Sequence, residues 1–144
     1  MYRSILVATD GSETSAEAVQ VATELAKTFG ATLHIASVYH SDASSAAVWA
    51  GVGIAFPEGA DPRSFAETQT EEMASRARAK GVSTQTHVTT GLVVERILAV
   101  AVEQNVELIV VGNKGMRGLR RVLGSVPNAI AHSAPCSVLI VNTT

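Results

Sequence analysis

The stretch Ser4-Ile5-Leu6-Val7-Ala8-Thr9-Asp10-Gly11-Ser12 decides the fold, because it joins a short apolar run to a turn and then to a helical pattern. An uncharged run of this length is typical of a strand that is buried on both faces of a sheet. The Asp-Gly-Ser sequence favours a tight turn. Residues 13–30 then repeat apolar side chains at helical spacing, and Gly30 is a natural helix stop. The unit predicts a strand that leads directly into a helix.

The same alternation of strand and helix continues to the end of the chain. Further strands are predicted at 32–39, 82–89, 107–111 and 136–141, and further helices at 62–80, 92–104 and 125–133. Long loops are predicted at 40–61 and 112–123. This order implies an α/β fold, with a parallel sheet and helices on both of its faces. Ligands of such sheets bind at the carboxyl ends of strands, so the segments after the first and fourth strands are the candidate site.

Composition narrows the classes of protein that the chain can represent. A length of 144 residues fits one domain, and 47% hydrophobic with 17% charged residues excludes a disordered chain. The net charge of −2 does not favour a nucleic-acid partner. A single cysteine, Cys136, excludes an intramolecular disulfide and a cysteine-rich zinc site. The apolar runs are too short for a membrane span, and the N-terminal residues lack a signal-peptide pattern, so the expected location is the cytoplasm.

The segment after the fourth strand combines glycines with cations. Gly112, Gly115 and Gly124 have no Cβ and would let backbone N–H groups approach an anion. Ser125 stands at a predicted helix start, where free N–H groups favour negative charge. The cations of this segment are Lys114, Arg117, Arg120 and Arg121. The pattern suggests a phosphate cradle, although a glycine turn beside a solvated basic face is the structural alternative.

These motifs resemble the universal stress protein family, and in particular its ATP-binding branch. That branch carries G-x-x-G, nine residues and then G-[ST], whereas eight residues separate Gly115 from Gly124-Ser125 here. Asn113 stands where many relatives have serine. The resemblance also extends over the opening strand and turn, Gly91, residues 108–112 and residues 134–141. It therefore covers nearly the whole chain.

The resemblance implies one universal stress protein domain over residues 1–144. Its expected architecture is a five-stranded parallel sheet in the order 3-2-1-4-5, Rossmann-like and similar to the adenine nucleotide alpha hydrolases. Ala8 and Thr9 would lie beside an adenine base, Val38 would pack against the ring, and Asp10 would contact the ribose. From the residues alone, a carboxylate at a strand end can accept hydrogen bonds from sugar hydroxyls, although Asp10 also fits a turn or helix cap. The valines also fit a plain core. The predicted binding residues are Ala8, Thr9, Asp10, Val38, Val111, Gly112, Lys114, Gly115, Arg117, Gly124, Ser125 and Val126.

No catalytic or metal-ligating set is predicted. His34, His40, His87 and His132 do not stand at metal-ligand spacing, and we expect structural or surface roles for them. Cys136 lies in an apolar strand and is expected to be an unreactive thiol. No arrangement of nucleophile and base matches a known pattern.

The expected function is that of a dimeric, nucleotide-binding stress-response regulator with little or no hydrolysis. ATP, with or without Mg²⁺, is the expected ligand, and cAMP is the alternative because a shorter loop would disturb a triphosphate more than a single phosphate. A slow ATP hydrolase or nucleotidyl transferase, and a partner protein with a vestigial site, also remain open. A receiver domain or a flavodoxin has a similar strand order but needs acidic or FMN-phosphate segments that this chain lacks. The uncharged last strand, together with the resemblance, predicts a homodimer through residues 136–142.

Overall fold

A computed structural model describes residues 1–11, 13–39, 61–113 and 125–143, and the Ser125 side chain is outside that description. The strands are β1 (Ser4–Thr9), β2 (Thr32–Tyr39), β3 (Thr84–Thr90), β4 (Leu108–Gly112) and β5 (Ser137–Val141). The helices are α1 (Glu13–Phe29), α2 (Pro62–Ala79), α3 (Val93–Glu103) and α4 (Ser125–Ser133). The predicted loops at 40–61 and 112–123 fall almost entirely outside the described residues.

The strands form one five-stranded sheet in the order β3-β2-β1-β4-β5. Every pairing in it is parallel, and Val7 of β1 lies beside Ile35 of β2 and Val110 of β4. The predicted fold class and strand order are therefore confirmed. β1 is the central strand, while β3 and β5 form the two edges of the sheet.

Two apolar clusters cover the two faces of the sheet. On one face, α1 and α2 contribute small side chains such as Ala22 and Ala74, which pack against Ile5, Ile35 and Val110. On the other face, α3 and α4 pack against residues that alternate with these along the strands. The members of this second cluster with the least exposure include Leu6, Ala36, Ile97, Ile109 and Ile130. Because both faces are covered, β1 and β4 carry no charged residue and consist mainly of apolar side chains.

The helix ends explain why some elements are displaced by one or two residues from their predicted limits. Gly30 adopts a φ of 65°, and the N–H of Ala31 donates to the carbonyl of Ala26 at 2.8 Å, so α1 ends at Phe29. At the end of α2, the N–H of Val82 still donates to the carbonyl of Ala77 at 3.2 Å. This cap delays β3, which begins at Thr84 rather than at the predicted residue 82.

One end of α2 matches its sequence signal closely. Asp61 precedes the helix and accepts a hydrogen bond from the Ser64 hydroxyl at 3.0 Å, and Pro62 occupies the first helical position. Among the helices of the described ranges, none has the length and apolar character that crossing a membrane requires.

A pair of histidines joins β2 to β3. A hydrogen bond links Nδ1 of His34 and Nε2 of His87 at 2.9 Å, one nitrogen donating to the other, and the ring centroids are 5.1 Å apart. His34 is buried, and His87 lines a groove with Val100 and Glu103 of α3. Burial lowers the pKa of both rings, with a further contribution to the lower pKa of His34 from His87 and an opposing one to His87 from Glu103. The structural role expected for these two side chains is consistent with this contact, which the sequence spacing did not reveal.

The histidine pair predicts a specific loss of stability in mild acid. With their pKa values lowered by folding, both rings take up protons at a lower pH in the native state than in the unfolded chain, where protonation begins below about pH 6.5. The free energy of unfolding should therefore fall as the pH decreases through this range and should gain nothing from the pair above it. Urea denaturation at a series of pH values measures the slope.

His87→Gln removes one ring of the pair and should flatten this slope. His132→Gln is the matched control, because His132 is an exposed histidine on α4. A slope that is the same in His87→Gln as in the unaltered protein would contradict this account of the pair.

Candidate functional site

The topology predicts a crevice at the carboxyl ends of β1 and β4. These strands are neighbours, yet α1, which follows β1, packs on one face of the sheet, and α4, which follows β4, packs on the other. The two connections therefore diverge from adjacent strand ends. This is the switch point at which open α/β sheets bind their ligands. The predicted site residues at the ends of β1 and β4 lie at this point.

An apolar wall, formed by Ala8, Val38, Val111 and Val126, lies on the α3 and α4 side of the crevice. All of these side chains belong to the apolar cluster on that face of the sheet. Val111 is buried, whereas the other three remain partly exposed. Residues deeper in the same cluster, such as Leu6 and Ile109, have no exposed surface. The wall is thus incompletely covered near the strand ends, and a flat apolar group could complete its burial.

The turn between β1 and α1 is held by hydroxyl groups. The Thr9 side chain lies 2.9 Å from the Ser15 hydroxyl and accepts a hydrogen bond from the Gly11 N–H at 3.1 Å. Thr9 and Ser15 are both buried, and Gly11 has a φ of 83°, a conformation that favours glycine. Asp10, which is half-buried, stands between these fixed points.

These contacts refine the role expected for Thr9. Its hydroxyl is engaged with the start of α1, on the opposite face from the apolar wall. Thr9 therefore fixes the turn that carries Asp10. Sequence reasoning did not identify Ser15 as its partner, although small hydroxyl residues flanking a helix start are typical of such turns.

At the end of β4, Asn113 is tied to the residues that follow β5. Its backbone N–H donates to the carbonyl of Val141 at 2.8 Å, and its Nδ2 donates to Oδ1 of Asn142 at 3.2 Å. Its own Oδ1 accepts from both the N–H and the hydroxyl of Thr143, each at 3.0 Å. The first residue after Gly112 is thus fixed through its main chain and its side chain.

The rest of the predicted glycine-rich segment is not described. Lys114, Gly115, Arg117 and Gly124 lie outside the described residues. Ser125 begins α4, as predicted, and Val126 follows it into the apolar wall. The described structure therefore gathers the apolar residues of the predicted site in one cluster. It also describes the turn that carries Asp10 and the residues that flank the rest of the glycine-rich segment.

Within the described ranges, we also searched for a metal-binding cluster and for an activated cysteine. No group of three or more His, Cys, Asp or Glu side chains in those ranges could hold a metal ion. Burial raises the pKa of the Cys136 thiol, a contribution only partly offset by a hydrogen bond from the backbone of Ile109. The thiol form therefore predominates at neutral pH, and this cysteine is not an activated nucleophile.

Comparison with known proteins agrees with this architecture. The model of the Universal stress protein family matches residues 1–142. Universal stress protein Rv1636 of Mycobacterium tuberculosis is 36% identical to the chain over 147 aligned residues, which cover 99% of this chain and 98% of the relative. Universal stress protein YxiE of Bacillus subtilis is 34% identical over 148 aligned residues, with 98% of this chain and 99% of the relative covered.

A solved structure extends the similarity to three dimensions. The crystal structure of a universal stress protein in complex with cAMP superposes with a TM-score of 0.74 and is 31% identical in sequence. The match covers 99% of this chain and 98% of that one. Because the family model matches residues 1–142 of its 144 residues, this chain belongs to the universal stress protein family.

Proposed function

We propose that this protein is a nucleotide-binding regulator of the stress response and that its ligand is an adenine nucleotide, ATP in the first place. The observation that carries the proposal is the apolar wall of Ala8, Val38, Val111 and Val126 at the β1–β4 switch point. A relative that shares the fold and 31% of the sequence forms a complex with cAMP, which supports an adenine nucleotide in this crevice.

The proposed contacts divide the nucleotide into three parts. The base packs against the apolar wall, where its flat face covers side chains that the protein leaves partly exposed. Asp10 accepts hydrogen bonds from the ribose hydroxyls. The hydrogen bond between the Gly11 N–H and the Thr9 hydroxyl holds the turn that carries Asp10. The phosphates bind the glycine-rich segment, for which we propose Gly112, Lys114, Gly115, Arg117, Gly124 and Ser125.

We further propose that the nucleotide is bound with little or no hydrolysis, with or without Mg²⁺. Asp10 is the one carboxylate among the proposed site residues, and its proposed partner is the sugar rather than the γ-phosphate. Hydrolysis at a useful rate needs a group that orients or activates the attacking water. We therefore propose a role in ligand binding and signalling. We also propose that one domain spans residues 1–144 and that the protein acts in the cytoplasm.

A second candidate ligand is cAMP. The cAMP complex of the similar universal stress protein favours it, as does the glycine-rich segment, which is one residue shorter than the pattern of the ATP-binding branch. A cyclic nucleotide has one phosphate and places fewer demands on that segment. Competition between ATP and cAMP at equilibrium separates the two proposals.

Substitution of Asp10 should weaken nucleotide binding while leaving the fold intact. Asp10→Asn keeps the shape of the side chain but removes its charge, so the hydrogen bonds to the ribose lose their charge assistance. We expect the dissociation constant to rise about tenfold, the equivalent of about 1.4 kcal/mol. Isothermal titration with ATP and then with cAMP measures the change.

The matched control is Glu17→Gln, because Glu17 is an exposed carboxylate on α1. A second variant, Gly115→Ala, adds a Cβ where a phosphate should approach and is expected to weaken binding of either nucleotide. Unchanged affinity in both Asp10→Asn and Gly115→Ala would remove the assignment of this crevice as the nucleotide site.

We also propose that the protein is a homodimer that pairs through residues 136–142. β5 is an edge strand without a charged residue, and its Leu139 and Ile140 side chains remain 36% and 42% exposed. An open apolar edge of this kind favours pairing with another strand. Two-fold pairing of β5 with the same strand of a second copy would cover the β5 edge of each protomer.

Leu139→Lys should shift the dimer toward the monomer in analytical ultracentrifugation. Two-fold symmetry places two new charges near each other at an apolar interface, and we expect dimerisation to weaken by on the order of a hundredfold. Val102→Lys is the matched control, since Val102 is 64% exposed on α3 and away from β5. A Leu139→Lys protein that remains dimeric would place the interface elsewhere.

A further inference from the structure

We propose that Asn113 and Thr143 form a latch that positions the start of the phosphate-binding segment, so that Thr143 controls nucleotide affinity without touching the nucleotide. The inference rests on the proposed function and extends it to a residue outside the predicted site. Thr143 acts through Asn113, and both are therefore positioning residues.

The latch is a closed set of hydrogen bonds at one end of the sheet. Parallel pairing sets Gly112 of β4 beside Val141 of β5, which brings the residues after both strands together. Oδ1 of Asn113 then accepts two hydrogen bonds from Thr143, each at 3.0 Å. An amide oxygen has two lone pairs, so these contacts use its full accepting capacity.

Burial of Thr143 makes its hydrogen bonds to the half-buried Asn113 difficult to replace with water. Thr143 is only 6% exposed, although it lies within two residues of the end of β5. A buried hydroxyl that loses its partner carries a desolvation cost, so the pairing strongly restricts the conformation of both residues. Residues near the end of an edge strand are usually solvated, and burial here marks a constraint on Asn113.

The position of Asn113 in the chain explains why fixing this residue should affect nucleotide binding. It stands between Gly112, which ends β4, and Lys114 and Gly115, which continue the glycine-rich segment. Its N–H is fixed by the carbonyl of Val141, and its side chain is fixed by Asn142 and Thr143. With both held, the conformation of Asn113 is set before a ligand arrives. Such preorganisation raises affinity because less conformational entropy is lost on binding.

The test uses a residue that lies outside the proposed site. Thr143→Val replaces the hydroxyl with a methyl group of similar size and removes one hydrogen bond to Asn113. We expect the dissociation constant for ATP to rise about three- to tenfold, and more for Asn113→Ala, which removes every side-chain bond of the latch. Thr143→Ser restores the hydroxyl and should return the affinity to that of the unaltered protein.

A double-variant cycle separates positioning from general loss of stability. In the Asn113→Ala background, Thr143→Val should have no further effect on ATP affinity, because its partner is already absent. Thr23→Val is the matched control: it also removes one hydrogen bond of a buried threonine hydroxyl, from Thr23 to the carbonyl of Val19 within α1. It should leave ATP affinity unchanged.

The outcomes distinguish the two proposals. If the unaltered protein binds ATP and Thr143→Val binds it equally well, the latch proposal is overturned while the proposed function stands. Equal losses in Thr143→Val and Thr23→Val, or additive losses in the double variant, also overturn the latch. If the unaltered protein binds neither ATP nor cAMP, the proposed function fails and the latch, as a determinant of affinity, fails with it.

Discussion

Burial of β1 and β4 on both faces of the sheet is the constraint on which the rest of the structure depends. Because Ile5, Leu6 and Val7 are fully buried, helices must cover each side of the sheet. α1 and α4, which follow neighbouring strands, help to meet this requirement on opposite faces. The crevice predicted between the two strand ends therefore follows from the topology and does not depend on the particular side chains that line it.

The proposed site combines an apolar wall that belongs to the core with a turn that hydroxyl groups hold in place. The apolar wall belongs to the core, so its shape is fixed by the same packing that stabilises the domain. The turn that carries Asp10 is fixed by Thr9 and Ser15, whose hydroxyls are buried. A site built in this way is suited to holding a ligand in one geometry. Hydrolysis of the nucleotide would further require a group that transfers protons, and we propose no such role for any residue of the site.

Sequence patterns predicted the fold closely, because apolar runs and glycine stops report directly on burial and helix ends. β1, β2 and α4 match their predicted limits, and β3 is delayed only by the cap that follows α2. Contacts that depend on strand register could not be predicted in this way. His34 and His87 are 53 residues apart in sequence, and Asn113 and Thr143 are 30 apart, so only the assembled sheet brings each pair together. Family resemblance predicted Ala8, Val38, Val111 and Val126 as binding residues, whereas only the structure shows that they belong to one apolar cluster.

The most direct test of the central claim is to denature the freshly purified protein and identify released nucleotides by mass spectrometry, with ATP and cAMP titrations of the emptied protein. We expect ATP, or the alternative cAMP, in near-stoichiometric yield, or saturable binding of one of them if the site is empty after purification. No released nucleotide together with no binding in either titration would contradict it.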